Sequence, residues 1–221
     1  MKIAGSILNL KKQDKQEVQK FLKSGIDFLH LDIMDGIFVE KQSFHFNYIY
    51  PLVRKSNLPL DIHLMVKDVF KYIYEFQNLN PEFITFHYEA VDNIEEVINY
   101  LKSIGIKVGI SINPETSIDK IIPYLDNVDL VLLMSVKPGM GGQAFLTHSF
   151  DKLNKLYELK LENNYKFLIE VDGGINDTNI KLLKQADIVV VGNFLTKDDN
   201  YKVSLKKLKE EIKWEKYLLY Y

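Results

Sequence analysis

The sequence predicts a (β/α)8 barrel, and three observations carry that reading. Eight strand-like segments recur along 221 residues, amphipathic helical patterns alternate with them, and polar residues gather at the strands' C-terminal ends. Eight such units in this length is the arithmetic of a closed barrel, for which ~200 residues is near the lower limit. A doubly wound open sheet is the competing architecture. It is disfavoured because the polar strand ends are spread over the whole chain.

Lys2–Leu8 is the first strand. Phe28–Met34 is the second: with a period of two, Leu29, Leu31 and Ile33 point one way while His30, Asp32 and Met34 point the other. Leu60–Met65 repeats the pattern, with Ile62 and Leu64 towards the helices and Asp61, His63 and Met65 inward. Val69, Phe70, Ile73 and Phe76 then form one face of a helix. Phe83–His87 is the fourth strand, followed by a helix whose apolar side is Ile94, Val97, Ile98 and Leu101. Lys107–Ile112, Leu130–Met134, Phe167–Asp172 and Ile188–Gly192 complete the set. The final helix shows Leu205, Leu208, Ile212 and Leu219 on its apolar side. Its aromatic tail (Trp214, Tyr217, Tyr220, Tyr221) is expected to pack against the barrel or a subunit neighbour. No Pro/Ser-rich linker or repeat divides the chain, so residues 1–221 are read as one domain.

A hydrophobic content of 47% supports a full core. The net charge of -2 and pI near 6.2 make no electrostatic case for nucleic acid or an anionic membrane. No apolar run reaches the ~20 residues of a membrane span, and the chain opens without a basic-then-apolar leader, so a soluble cytoplasmic protein is expected. Absent cysteine excludes thiolate nucleophiles, Cys-type zinc sites and disulfides. Arg54 is the only arginine, so backbone N–H groups, helix ends or lysine must hold any phosphate.

A parallel sheet is buried on both faces, and a His or Asp inside it needs a partner or a metal. His30 and Asp32, His63, and Asp172 at the end of the seventh strand make two imidazoles and two carboxylates, a four-ligand set suited to a divalent transition metal. One such pair would more simply be a satisfied buried network; three such strands favour the metal. Met34, Met65 and Met134 end strands, and Met140 follows in a loop, giving a polarizable, dry lining above the site. The stretch Val136–Phe145, with Gly139, Gly141 and Gly142, suits a mobile loop closing on an anion through backbone N–H groups. Gly173 and Gly174 end the seventh strand and Gly192 with Asn193 the eighth, where barrels frequently bind phosphate. His87, near Glu89, is read as a satisfied core histidine, and His45 and His148 as surface residues. Lys137 is the one lysine expected near the mouth, but its solvated loop argues against a Schiff-base role.

These residues resemble the ribulose-phosphate 3-epimerase family, in order and over nearly the whole chain. The resemblance runs through Ser6-Ile7-Leu8, His30 to Val39, Asp61 to Met65, Ile84 to Ala90, Asn113 to Thr116, Leu132 to Val136, Pro138 to Phe145 and Glu170 to Ile175. It implies a barrel enzyme that interconverts D-ribulose 5-phosphate and D-xylulose 5-phosphate. By the same resemblance His30, Asp32, His63 and Asp172 hold one divalent cation (Zn, Mn, Fe or Co), and Asp32 and Asp172 also serve as proton acceptor and donor. Ser6 and His63 contact substrate. Gly139, Met140, Gly141, Gly142, Gly173, Gly174, Gly192 and Asn193 hold substrate and its phosphate. The family usually has Pro at position 5, Asn at 137, Phe at 140, Ser at 193, and Pro-Asn in place of Glu40-Lys41. None of these departures removes a ligand or an acid/base residue.

The chemistry points the same way. Epimerising C3 beside a C2 ketone removes a weakly acidic proton with a carboxylate of reference pKa ~4, a step a metal can ease by several kcal/mol. Inversion then needs a proton from the opposite face, which a second carboxylate supplies. Three alternatives stay open: a 3-epimerase of a six-carbon ketose phosphate such as D-allulose 6-phosphate, a Schiff-base aldolase using Lys137, and a non-catalytic phosphosugar-binding barrel. A phosphorylated ketose is the expected partner, with no nucleic acid or membrane, and a homo-oligomer is the expected assembly.

Overall fold

Alternation of side chains along short, mostly apolar strands is what closes this protein into a barrel. The computed structural model describes residues 1–12 and 14–218, with side chains described as far as 213. Its strands are β1 (Lys2–Ser6), β2 (Phe28–Met34), β3 (Leu60–Met65), β4 (Phe83–His87), β5 (Lys107–Ile112), β6 (Leu130–Met134), β7 (Leu168–Asp172) and β8 (Ile188–Val191). They pair in parallel in sequence order, and β8 returns to β1 through Ile3 opposite Val189. The (β/α)8 barrel is therefore closed.

Three strands are shorter than expected. β1 ends at Ser6 rather than Leu8, because Ser6 Oγ accepts from Leu8 N and turns the chain out of the sheet. β7 begins at Leu168, since the ladder to β6 starts with the Leu130–Leu168 pair. β8 stops at Val191, where Gly192 leads into a short helix.

The helices are α1 (Lys15–Leu22), α2 (Phe46–Val53), α3 (Val69–Phe76), α4 (Ile94–Ser103), α5 (Ser149–Glu162), α6 (Asn193–Thr196) and α7 (Tyr201–Leu218). Asp14, Asp68 and Asn93 cap α1, α3 and α4 by accepting from a backbone N–H three residues on, each worth about 1 kcal/mol. After β5 and β7 the expected helical patterns form only 3-10 turns, at Ile118–Lys120, Ile122–Asn127 and Ile180–Leu182. Pro123, which lacks a donor, stands at the start of the second of these turns. Of the expected apolar side of α7, Leu205 and Leu208 are buried and Ile212 packs against the core. Leu219 and the side chains of the tail aromatics Trp214, Tyr217, Tyr220 and Tyr221 lie outside the described residues.

Two apolar layers result. Outward residues such as Ile62, Leu64, Phe86, Leu133 and Ile169 pack on Phe21, Phe76, Val97 and Leu156 of the helices. Phe86 is fully buried there, and truncating it to alanine would cost about 3–5 kcal/mol. Inside the barrel, Phe28, Phe83, Leu130 and Ile188 make a floor. Lys2 Nζ lies 5.2 Å from the Phe28 ring centre and Lys107 Nζ 5.4 Å from that of Phe83, placing two cations against its underside. At the same end Asp27, Asp129 and Asp187 accept from the backbone N–H groups of Ile3, Val108 and Ile169, joining neighbouring strands. The polar side chains stack above this floor, towards the C-terminal ends of the strands.

Candidate active site

Register decides which side chains meet. β2 and β3 pair so that His30 stands beside Asp61, Asp32 beside His63 and Met34 beside Met65. β7 brings Asp172 in beside Met134 and Val190. The ligand atoms of His30, Asp32, His63 and Asp172 all lie within 4.8 Å of one another. Asp32 Oδ1 is 3.3 Å from His30 Nε2 and 3.3 Å from His63 Nδ1. Its other oxygen, Oδ2, accepts from Ser6 Oγ at 2.7 Å. Ser135 Oγ donates to the carbonyls of Asp172 and Gly173, at 2.8 and 2.7 Å, and so fixes the end of β7.

A lower tier supports this group. His30 Nδ1 donates to Asp61 Oδ2 at 2.5 Å, which turns its Nε2 towards Asp32. Glu170 is fully buried and converges with Asp61 and His30. Burial and the Asp61 charge push the Glu170 carboxyl well above the usual carboxylate range. Asp61 and Glu170 occupy inward positions two residues before His63 and Asp172. The alternation marks both positions as inward, but only the register shows that they sit beneath His30.

The two central carboxyls are driven apart. Burial pushes Asp32 up, but His30 and His63 outweigh it and hold the carboxyl well below the usual range. Burial and the Asp32 charge push Asp172 up to about 7. Burial pushes His63 down to about 4 against its hydrogen bond to Asp32. Burial also lowers His30, but Asp61 and Asp32 outweigh it, and the ring's affinity for a proton is raised. Acceptor-type atoms thus converge here from four side chains. They attract a proton to His30, and two imidazoles with two carboxylates suit a divalent transition cation equally well.

Above lies a pocket of about 410 Å³. Its base holds Ser6, Asp32, Asp172 and the buried Met34, Met65 and Met134. Gly139, Met140, Gly141 and Gly142 of the loop after β6 form one wall, with Met140 half-exposed. Gly173, Gly174, Gly192 and Asn193 form another. Gly174 has a φ of +62°, and a Cβ there would sit 2.4 Å from Phe145 N, so glycine alone lets the loops after β6 and β7 touch. Asn9 and Lys197 also line this space, and neither belongs to a recognisable motif. Lys137 lines the mouth as expected, but it is not the one lysine there, since Lys197 lines it too. Lys197 Nζ rests 3.8 Å from the Phe194 ring centre.

His45 and His148 are exposed, as expected, and Arg54 caps the end of α2 on the surface. His87, read from sequence as a core histidine, is fully buried and has a specific neighbour: its Nε2 is 2.8 Å from His63 Nε2. Asp35 accepts from the N–H groups of Ile37, Phe38 and Lys67, stapling the loops after β2 and β3 together.

Comparison with known proteins shows the family. The family described as "Ribulose-phosphate 3 epimerase family" matches residues 2–195. The chain belongs to the ribulose-phosphate 3-epimerase family. A ribulose-phosphate 3-epimerase of Helicobacter pylori J99 is 39% identical over 212 residues, covering 94% of this chain and 96% of that protein. One of Methanocaldococcus jannaschii is 37% identical over 198 residues, covering 89% and 84%. Membership makes the chain an isomerase of the epimerase kind. Among solved structures, 3-hexulose-6-phosphate synthase from Salmonella typhimurium superposes with a TM-score of 0.69 at 16% identity, covering 96% of this chain and 98% of that one. At that identity it shares the barrel with the epimerase family and speaks only to fold.

Proposed function

We propose that the protein interconverts D-ribulose 5-phosphate and D-xylulose 5-phosphate by moving a proton at C3. The observation that carries this is the convergence of two carboxyls, Asp32 on β2 and Asp172 on β7, in one group with His30 and His63, the first held well below the usual carboxylate range and the second pushed up to about 7. Family membership and the names of the relatives support the substrate.

The residues act as follows. Ionised Asp32, oriented by Ser6, accepts the C3 proton from one face of the sugar. Protonated Asp172, from the strand that closes the other side, returns a proton to the opposite face, and the reverse reaction exchanges the roles. His30, Asp32, His63 and Asp172 would hold the cation. When bound it supplies Lewis-acid stabilisation of the negative charge that develops beside the ketone. The methionines keep water from the reacting carbon. Backbone N–H groups of Gly173, Gly174, Gly192 and Asn193, with Lys197, would hold the phosphate. Lys137 is exposed on the β6 loop, without the burial that activates a Schiff-base lysine.

We read residues 1–221 as one catalytic domain acting in the cytoplasm as a homo-oligomer. No helix among the described residues is long and apolar enough to cross a membrane. The deciding experiment combines metal analysis of fresh protein with interconversion assays on the pentulose phosphates and on D-allulose 6-phosphate. Faster turnover of the six-carbon substrate would reassign the sugar, and no turnover of either would overturn the proposal.

A further inference from the structure

A neutral imidazole has one N–H and one lone pair, and a metal ligand must spend the lone pair on the metal. For His30 the choice is made by Asp61, which takes the Nδ1 hydrogen and leaves Nε2 facing Asp32. His63 presents the other nitrogen. Its Nδ1 faces Asp32 Oδ1, and its Nε2 meets not a carboxylate but a second ring, His87. Two ring nitrogens 2.8 Å apart share one hydrogen, and which of them owns it decides whether His63 can bind a cation at all.

The answer lies one residue further out. His87 Nδ1 is 3.3 Å from Glu89 Oε2. Glu89 Oε1 accepts the N–H of Asn113 at 2.8 Å and the hydroxyl of Thr116. Burial raises the Glu89 carboxyl, but the hydrogen bonds from His87 and Thr116 outweigh it and bring it down to about 2. A carboxylate facing His87 Nδ1 requires the hydrogen there. Both rings are fully buried, where the neutral form is the less costly one. His87 Nε2 is then a lone pair, so the hydrogen between the rings belongs to His63 Nε2. Without metal the Asp32 carboxylate, also at 3.3 Å, competes for a hydrogen at His63 Nδ1; with a cation in that hydrogen's place, this arrangement keeps both rings neutral and gives the Nδ1 lone pair to the metal. Phe38, with its ring centre 4.8 Å from that of His87, holds the middle ring in place.

We propose that Glu89 and His87 are positioning residues: Glu89 sets the tautomer of His87, and His87 sets that of His63, so that His63 offers Nδ1 to the cation. The proposal rests on the metal reading above, and its test separates the two.

The first measurement is the ¹⁵N spectrum of the imidazoles in Zn²⁺-loaded full-length protein. His63 should show a protonated Nε2 and a metal-bound Nδ1, and His87 a protonated Nδ1 and a bare Nε2. The second is affinity for Zn²⁺, by competition with a chromophoric chelator. His87→Phe, which removes the acceptor, should bind Zn²⁺ about 10- to 100-fold more weakly. Glu89→Ala should weaken binding in the same direction. His87→Gln, whose amide oxygen can take the place of Nε2, should stay close to wild type. A merely structural role would not distinguish Gln from Phe in this way. The proposal is overturned by a His87 that carries its hydrogen on Nε2 in the Zn²⁺-loaded wild-type protein. It is equally overturned by folded His87→Phe protein with unchanged Zn²⁺ affinity. Wild-type protein with no affinity for Zn²⁺ would count against the metal reading itself.

Discussion

Ser6 Oγ donates to Asp32 Oδ2 at 2.7 Å, and that bond turns the remaining oxygen of Asp32 towards His30 and His63. A hydrogen bond to an ionised group is worth about 1.5–3 kcal/mol. Ser6→Ala should therefore lower kcat/KM about 10- to 100-fold in protein that still folds and still carries metal. Steady-state kinetics beside metal analysis of the same sample check this. An unchanged kcat/KM would mean that Ser6 orients nothing.

Chelation should abolish activity, and Zn²⁺, Mn²⁺, Co²⁺ or Fe²⁺ should restore it. His63→Ala should lose more metal than His87→Ala, because His63 contacts the group around Asp32 directly and His87 only through His63. Full turnover by protein shown to be metal-free would exclude the metal from the reaction.

Asp172→Asn should fail to interconvert the epimers, while Asp32 still exchanges the C3 hydrogen of one epimer with D₂O. NMR of each epimer in D₂O reads both quantities. A neutral amide binds metal less well, so metal content is measured alongside. Near wild-type interconversion in metal-replete Asp172→Asn would remove Asp172 as the second proton carrier.

At the phosphate end, Gly174→Ala forces a Cβ against Phe145 N and should raise KM sharply. Lys197→Met should raise KM about two- to fivefold, the scale of an exposed ion pair, and flatten its dependence on salt. Arg54→Ala, on the outer surface at the end of α2, should do neither. A larger KM effect from Arg54 than from Gly174, in folded protein, would move the phosphate elsewhere.

Glu89 also links stability to pH. Its carboxyl sits at about 2 in the folded chain against an ordinary 4.5. A depressed folded value adds stability that is present above the ordinary value and lost as the pH falls from 4.5 towards 2. The gap corresponds to stability on the order of 3 kcal/mol. In metal-free protein, Glu89→Gln should flatten that part of the urea-unfolding profile. An equally steep loss in the variant would place the acid sensitivity in other groups.

The barrel was legible because alternation is a local signal: His30, Asp32, His63 and Asp172 all fall on inward positions of strands that can be read one at a time. What sequence left out depends on registers and loops. Asp61 was visible as inward, yet its place under His30 follows from the β2–β3 pairing. His87 looked like an ordinary core histidine because nothing within β4 shows the 2.8 Å approach of His63 from β3. Lys197 enters the mouth only because β8 and α6 turn it there. The 3-10 turns after β5 and β7 replaced helices where the connections are short or carry Pro123.

The floor of Phe28, Phe83, Leu130 and Ile188 has a kinetic consequence. It closes the lower end of the interior, so a sugar seated in the mouth lies across the path that solvent takes to the two carboxyls. On the proposed reaction each turnover ends with Asp32 and Asp172 in exchanged protonation states, and the enzyme released with one epimer is not immediately the enzyme that bound the other. Resetting draws on solvent from the same mouth through which substrate and product pass, which ties the readiness of the catalyst to traffic there as well as to the chemical step.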